Sequence, residues 1–326
     1  MPLAFVTGAT GFLGLNLVER LAADGWEIVA LHRAVSDTSR LARFPARRAV
    51  GDIADRAAVA AALPAGADAV FHCAANTAMW SRHYAQQWRD NVEGTKAVLA
   101  AARERGAKRF VHVSTISVYG HGHGLVTEDS PQIAPAGVGY GPSKAAAEAA
   151  VKAAAREGFA AVVVNPAHII GRYDTHNWAR MIEMTVKGTI PGVPPGAGSF
   201  CHAAAVADAM IAAAARGRPG ENYILAGADA SFLDVFGIIG RLTGKAVPRR
   251  AMPAAALRLY ARLATGVAGL TGREPKVTPA IADVVTGRAR FACERAAREL
   301  GYQPVSLAAM LEDAYGWMKD EGLLAG

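Results

Sequence analysis

The sequence predicts a doubly wound α/β fold, and three observations point to it. Short apolar runs recur along the first half of the chain, helical segments lie between them, and a glycine-rich turn follows the first run. Runs that are apolar throughout are typical of parallel strands covered by helices on both faces. The predicted strands are 3–7, 27–31, 69–74, 109–114 and 160–165, and the helices between them are 13–23, 57–63, 92–104 and 143–156.

The pattern changes after about residue 170. Three prolines and three glycines between 191 and 198 predict a long loop with no regular element. A last strand is predicted at 222–226, and further helices at 252–271, 293–300 and 307–321. We therefore expect a main domain over 1–170, to which 200–226 returns, and a smaller C-terminal α/β lobe that binds substrate, formed by 171–199 and 227–326.

Composition excludes several classes of protein. A chain of 326 residues that is 52% hydrophobic and 19% charged buries a large core and is not disordered. The three cysteines, Cys73, Cys201 and Cys293, lie far apart without metal-ligand spacing, so we expect neither a disulfide framework nor a metal site. No signal peptide and no membrane span of roughly 18 apolar residues is evident, which predicts a cytoplasmic protein.

The formal net charge of +7 is compatible with nucleic acid, a membrane surface, a phosphorylated cofactor or a plain bias toward arginine. Composition alone does not choose among these. The arginines are dispersed and no nucleic-acid-binding motif is present, so we do not expect a nucleic-acid partner.

The glycine-rich turn has the spacing GxxGxxG. It follows the first predicted strand and opens an apolar helix, where glycines allow a tight turn and let the backbone approach a pyrophosphate. The free N–H groups of the helix N-terminus suit those phosphates. This placement predicts a Rossmann-type dinucleotide site, in which the cofactor contacts are Gly8, Thr10, Gly11, Phe12, Leu13 and Gly14.

The second strand ends at His32 and Arg33, where an acidic residue would hold the ribose 2′-hydroxyl of NAD. Arg33 can instead pair with a 2′-phosphate, and Arg40 could add a second contact, although a solvated surface arginine is the alternative. NADP(H) is therefore favoured, with NAD(H) possible. Asp52 and Ile53, which lie between the predicted strands 27–31 and 69–74, are candidates for the adenine edge, although an acidic residue in a turn needs no function to explain it.

Tyr140 and Lys144 lie four residues apart and so share one face of a helix. The lysine ammonium can lower the pKa of the phenol, which makes the tyrosine a usable acid or base near neutral pH.

Six motifs occur in family order, and with them the chain resembles the extended short-chain dehydrogenases/reductases. They are TGATGFLG at 7–14, HCAA at 72–75, NVEGT at 91–95, VSTISVYG at 113–120, YGPSK at 140–144 and NPA at 165–167. The segments NPAHIIG at 165–171 and LTGREP at 270–275 are similar to the dihydroflavonol reductase and 3β-hydroxysteroid dehydrogenase branch.

The resemblance implies a role for each matching residue. Thr115, or Ser114 if the register shifts by one, would bond the substrate oxygen, Tyr140 would transfer the proton, Lys144 would hold the nicotinamide ribose and Asn91 would support them. It also implies a homodimer. The cofactor contacts that it implies are His32, Cys73, Ala74, Ala75, Tyr140, Lys144, Asn165, Pro166 and His168.

Three functions remain open within that resemblance. The leading one is an NADP(H)-dependent oxidoreductase that acts on a carbonyl or secondary alcohol of a fairly apolar small molecule. An NAD-retaining nucleotide-sugar epimerase is the alternative, although Ser199 to Ala205 lacks the arginine and aspartates typical of such enzymes. A non-catalytic NADP-binding protein is less favoured because the Tyr140 and Lys144 pair is intact.

Substrate contacts are expected beyond the carboxyl ends of the strands, where ligands of α/β sheets bind. The candidates, chiefly aromatic residues and histidines, are Met79, Trp80, Tyr84, His121, His123, Tyr173, His176 and Trp178. Such walls suit an apolar carbonyl or alcohol.

Overall fold

A computed structural model, which describes residues 1–120, 122–133 and 137–324, contains a seven-stranded parallel sheet at its centre. The strand order is β10-β7-β5-β4-β1-β2-β3. These strands are β1 (Leu3–Thr7), β2 (Glu27–His32), β3 (Ala46–Val50), β4 (Ala69–His72), β5 (Phe110–Val113), β7 (Ala161–Pro166) and β10 (Asn222–Leu225). The doubly wound α/β fold is therefore confirmed.

Helices cover both faces of this sheet. One face carries α1 (Phe12–Ala23), α7 (Ala203–Arg216) and α11 (Glu294–Leu300), and the other carries α2 (Arg56–Ala62), α4 (Gly94–Glu104) and α5 (Tyr140–Arg156). Along β1, Ala4 and Val6 pack in the first of these cores and Phe5 in the second. This arrangement explains why the strand is apolar at every position, since successive side chains point to opposite faces.

A smaller set of elements packs beside the carboxyl end of the sheet. The strands β8 (His168–Ile170), β9 (Ala197–His202) and β11 (Ala228–Ser231) form a three-stranded sheet, and β6 (His123–Val126) pairs with β12 (Arg288–Phe291). The helices are α3 (Tyr84–Trp88), α6 (Ala179–Val186), α8 (Phe232–Thr243), α9 (Ala254–Thr271), α10 (Pro279–Thr286) and α12 (Leu307–Asp320). A third apolar core joins α6, α8 and α12 to this sheet.

Several of these elements differ from the sequence prediction. The segment 191–198 was expected to hold no regular element, but β9 begins at Ala197 because it pairs with β8 and β11. Residues 200–202 belong to that small sheet, whereas α7 and β10 pack with the large one. The division into two lobes stays a prediction.

No helix within the described parts of the chain combines the length and the hydropathy needed to cross a membrane.

Candidate active site

The glycine-rich turn joins β1 to α1 at the carboxyl edge of the large sheet. Gly8 has φ +70°, and a Cβ there would lie 2.6 Å from the Ala74 nitrogen. A Cβ on Gly14 would overlap the Gly8 carbonyl oxygen. At Gly11, by contrast, the only atom within 4 Å of an added Cβ is the Gly8 oxygen at 3.3 Å. Packing therefore requires glycine at positions 8 and 14, while at position 11 the missing side chain leaves space in the cavities that Gly11 lines.

A cavity of about 460 Å³ lies beside this turn, between the ends of β1, β2 and β4. Ten of the predicted cofactor contacts line it: Gly8, Thr10, Gly11, His32, Arg33, Asp52, Ile53, Cys73, Ala74 and Ala75. A backbone turn with space for phosphates, together with a lining that includes the chain after β2, β3 and β4, fits a nicotinamide dinucleotide. We call it the cofactor cavity.

Two charged residues of the cofactor cavity, Asp52 and Arg33, differ in whether they have an ion-pair partner. The Asp52 carboxylate accepts a hydrogen bond from Arg89 at 2.8 Å, and the Arg89 guanidinium holds the pKa of Asp52 below its usual value. Arg33 lines the same cavity and forms no ion pair with any described residue. Its guanidinium is therefore available to an anionic group.

Arg40 lies elsewhere. Its guanidinium stacks over Trp317 at 5.3 Å and lies 3.8 Å from Glu321, at the C-terminal helix. Because these contacts hold its side chain outside the cofactor cavity, the second 2′-phosphate contact expected from Arg40 is not present.

A second cavity, of about 590 Å³, continues from the glycine-rich turn across the carboxyl ends of β5 and β7. Ser114, Thr115 and Tyr140 line it, and so does Gly11. The Thr115 side chain caps the short 3-10 turn Ile116–Tyr119 by accepting from the Ser117 N–H at 3.2 Å. We call this space the substrate cavity.

Tyr140 is the first residue of α5 and carries the phenol of the site. Burial raises its pKa to about 12, and a hydrogen bond with Thr115 opposes that rise. The phenol is therefore protonated at neutral pH and lies beside a hydroxyl that shares the same cavity.

Lys144 is one turn further along α5 and is 1% exposed. Its ammonium donates to the Val113 carbonyl at 2.8 Å and lies 3.4 Å from His112 Nε2. Burial lowers its pKa to about 8, while the Glu148 carboxylate acts in the opposite direction. Lys144 lies behind the wall of the substrate cavity rather than on it.

Asn91 lies in a π-helical turn, Arg89–Glu93, a feature that often marks functional sites. Its side-chain amide donates to Ser143 Oγ at 3.0 Å, and Ser143 in turn donates to the Tyr140 carbonyl at 2.8 Å. Its side-chain oxygen accepts from the Asn76 N–H at 2.7 Å. Asn91 thus holds the start of α5, where the phenol is attached, against the chain that follows β4.

A buried histidine extends this network to the glycine-rich turn. The Thr95 hydroxyl donates to the Asn91 carbonyl at 2.6 Å. Because that proton is used, the Thr95 oxygen accepts from His72 Nε2 at 3.0 Å. The other ring nitrogen, Nδ1, then carries no proton and accepts from the Thr7 hydroxyl at 2.7 Å. Burial lowers the pKa of His72 to about 3 and keeps the ring neutral. The sequence contained this histidine within HCAA, but nothing in the pattern assigned it a partner.

Asn165 and Pro166 were expected to contact the cofactor, but they do not line either cavity. The Asn165 amide is fully buried and donates to Glu148 at 2.6 Å and to the Thr115 carbonyl at 3.2 Å. Glu148 also accepts from Gln132 and Asn222, so this carboxylate holds the amide in the interior. The neighbouring His168 does line the substrate cavity.

Three of the residues predicted to contact substrate lie on the wall of the substrate cavity. Met79, His176 and Trp178 line it, together with Asn177 and three side chains of α10 that the sequence did not single out: Ile281, Val284 and Val285. The buried Asp174 carboxylate accepts N–H groups of His176, Asn177 and Ala179, and so shapes this loop. The α10 contacts lie more than a hundred residues along the chain from Trp178, and no local pattern marks them.

Two predicted substrate contacts lie elsewhere. Tyr173, which has φ +71°, turns its ring onto Phe44 and Trp317 and its hydroxyl toward Glu19. Trp80 is buried against Arg82 and His83. Both are therefore packing residues.

Tyr84 does not line the substrate cavity. Its ring lies beside Gly139, 3.4 Å from where a Cβ on that residue would be. His121 lies outside the described residues, and the side chain of His123 is not described.

The substrate cavity lacks formal charge on its described walls. No aspartate, glutamate, lysine or arginine is among the described residues that line it, and its polar groups are hydroxyls, imidazoles and one amide. Cys73 also lies on its wall, and burial raises the pKa of that thiol to about 12.

Comparison with known proteins finds a family and several full-length relatives. Residues 4–226 match the model of the NAD dependent epimerase/dehydratase family. The chain is 30% identical to sterol demethylase protein B of Methylococcus capsulatus, over 98% of this chain and 99% of that protein. It is 37% identical to a 4-hydroxy-2-methyl-3-oxo-4-farnesyl-3,4-dihydroquinoline-1-oxide ketoreductase of Stigmatella aurantiaca, over 68% and 67% of the two chains.

Among solved structures, the chain is similar to a nucleoside-diphosphate-sugar epimerase from Pseudomonas aeruginosa. The TM-score is 0.79, with 25% sequence identity and 98% of both chains covered.

Proposed function

The chain belongs to the NAD-dependent epimerase/dehydratase family, in the extended short-chain dehydrogenase/reductase branch of NAD(P)-dependent oxidoreductases, and on that premise we propose a specific reaction. The protein transfers a hydride between NADP(H) and a carbonyl or secondary alcohol of a fairly apolar small molecule. Tyr140 exchanges the proton in this reaction.

The uncharged wall of the substrate cavity carries this proposal. A nucleotide-sugar would bring a diphosphate, which proteins hold with arginine, lysine or clustered backbone N–H groups. The described lining contains no arginine or lysine, and its helix N-terminus is that of the glycine-rich turn. Trp178, Ile281 and Val284 instead suit an apolar substrate. The named activity of the Stigmatella relative, a ketoreductase, agrees with this choice.

Each polar residue then has a role. Thr115 donates to the substrate oxygen, and Tyr140, whose pKa of about 12 keeps it protonated, supplies a proton to that oxygen during reduction. Asn91, through Ser143, fixes the start of α5 and with it the phenol. Lys144 contributes positive charge from behind the cavity wall, where its ammonium donates to the Val113 carbonyl. The bound nicotinamide supplies the hydride or accepts it.

The choice of NADP(H) depends on Arg33. Asp52, which lines the same cavity, is already paired with Arg89, so an added 2′-phosphate would meet the unpaired Arg33 guanidinium. A cytoplasmic homodimer stays a prediction.

One observation favours a second function. The similarity to the Pseudomonas epimerase covers 98% of both chains, so an NAD-retaining nucleotide-sugar epimerase remains the alternative. That enzyme would carry tightly held NAD through purification and would interconvert sugars without net redox change.

The test is a substrate panel followed at the nicotinamide absorbance. Aliphatic, aryl and polycyclic ketones are compared with UDP-sugars, each with NADPH and with NADH, and NAD released from the denatured protein is assayed. We expect NADPH oxidation with one group of ketones and a loss in kcat/KM on the order of 10²- to 10⁴-fold for Tyr140→Phe, because the proton donor is removed. Tyr315→Phe is the matched control.

Binding of NADPH by Tyr140→Phe should equal that of the unmodified protein. Turnover of UDP-sugars with retained NAD, or full ketone reduction by Tyr140→Phe, would contradict the proposal.

A further inference from the structure

The outward face of α9 is apolar and open to solvent. Leu259, Tyr260, Leu263, Val267 and Leu270 are between 53% and 91% exposed. They recur at spacings of three and four residues, so they form one continuous row along the helix. We call this row the α9 stripe.

The α9 stripe is distinct from the face that α9 uses for packing. Leu257, Ala261 and Ala268 are buried, the first two of them against Ala282 of α10. At about 100° per residue these three positions lie on nearly the opposite side of the helix from Leu259, Leu263 and Leu270. An ordinary surface helix has one apolar face, whereas α9 has two, and every side chain of the second is more than half exposed.

Much of the positive charge of the chain surrounds this helix. Residues 245–278 contain seven lysines and arginines but a single acidic residue, Glu274, which compares with a net charge of +7 for all 326 residues. Arg258 lies 3.9 Å from Asp283. The other six cations form no ion pair with any described residue, and all are exposed: Lys245, Arg249, Arg250, Arg262, Arg273 and Lys276.

We propose that α9 docks on the surface of an anionic lipid bilayer. The α9 stripe would enter the boundary between headgroups and acyl chains, and the surrounding cations would contact lipid phosphates, which is how amphipathic interfacial helices bind. A second copy of this chain fits less well, because two such faces would bring their unpaired cations together without acidic partners.

The position of α9 gives the docking a consequence for substrate access. Its partner helix α10 turns Ile281, Val284 and Val285 toward the substrate cavity, so one helix pair has a bilayer-facing side and a cavity-facing side. An apolar substrate dissolved in lipid would then enter close to the membrane. This consequence rests on the proposed function, but the docking itself does not.

The test is flotation of the full chain with vesicles, scored without catalysis. Vesicles of phosphatidylcholine with phosphatidylglycerol are compared with phosphatidylcholine alone, at low and high salt. We expect binding to the anionic vesicles that weakens at high salt and little binding to the neutral ones.

Two variants separate the two contributions. Leu259→Ser/Leu263→Ser/Leu270→Ser removes apolar contact, and Arg249→Gln/Arg250→Gln/Arg262→Gln removes charge. The charge variant should bind on the order of a hundredfold more weakly, since each cation near an anionic surface contributes roughly a fivefold factor. Val35→Ser/Val50→Ser, at exposed valines outside α9, is the control and should bind as the unmodified protein does.

The outcomes are distinct. Absence of binding to anionic vesicles, or equal binding by the leucine variant, overturns the docking. A dimer in light scattering that the leucine variant dissociates overturns it in favour of a second copy. Unchanged far-UV circular dichroism and urea unfolding of both variants show that they are folded, and because neither measurement uses catalysis, this test stays separate from that of the reaction.

Discussion

The cofactor side of the cleft is held by backbone geometry and buried hydrogen bonds, whereas the substrate side is walled by apolar side chains on separate elements. On the first side, hydrogen bonds run from Thr7 through His72, Thr95, Asn91 and Ser143 to the start of α5. On the second side, α9 and α10 share only a small apolar cluster.

This difference indicates which changes each side tolerates. The dinucleotide site is fixed by glycines and by buried polar groups that would be costly to leave unpaired. A substrate wall of apolar side chains can change with little effect on the fold. The predictions below test this contrast.

The largest effect is expected from Gly14→Ala. The new Cβ would overlap the Gly8 carbonyl and the Ala9 Cα, so the backbone must shift. We expect a loss of at least about 1–3 kcal/mol in the free energy of unfolding, with much weaker NADPH binding. Urea unfolding and fluorescence titration measure the two.

Gly11→Ala is the matched control for that change. Its Cβ meets only the Gly8 oxygen at 3.3 Å, so the free energy of unfolding should stay within about 1 kcal/mol while NADPH binding weakens. Equal stability of the two variants would show that packing does not distinguish the two glycines.

The buried histidines predict acid sensitivity. Burial lowers the pKa of His72 to about 3 and that of His112 well below its usual value, whereas both rings bind protons near pH 6.5 in the unfolded chain. Below that pH the unfolded state binds more protons, so stability falls as the pH falls. Each histidine should contribute a slope of about 1.4 kcal/mol per pH unit.

Urea unfolding between pH 6.5 and 4.5 measures this slope. His112→Asn should reduce this slope by the contribution of one proton. An unchanged slope in His112→Asn would show that this ring is not a source of the acid sensitivity.

Arg33→Asp is expected to change cofactor preference without affecting the fold. The ratio of kcat/KM with NADPH to that with NADH should fall on the order of 10- to 100-fold, because a hydrogen bond to a charged group contributes about 1.5–3 kcal/mol. Arg48→Asp, an exposed arginine outside the cofactor cavity, is the control. An unchanged ratio would assign Arg33 to the solvated surface.

The smallest effect is expected on the substrate side, from Val284→Thr. A hydroxyl replaces a methyl group on the cavity wall, so KM for an apolar ketone should rise about 2- to 10-fold with NADPH affinity unchanged. Asp283→Asn, an exposed position on the same helix, is the control. A change in NADPH affinity in Val284→Thr would contradict the separation of the two sides.

Local sequence was informative wherever the chemistry depends on residues close together in the chain. The glycine spacing located the cofactor turn, and the spacing of Tyr140 and Lys144 indicated one helical turn, although the helix was predicted only from residue 143 and α5 begins at Tyr140. The same local logic misplaced Tyr173 and Trp80, since a position after a strand does not say which way a side chain turns.

By itself, the sequence determined the parallel sheet, the place of the dinucleotide turn and Tyr140, the residue proposed for proton transfer. Only the tertiary structure decided that α10 walls the substrate cavity, that Asn165 is held by Glu148, and that α9 leaves a second apolar face open. Each of these depends on packing between segments far apart in the chain, which periodicity within one segment does not encode.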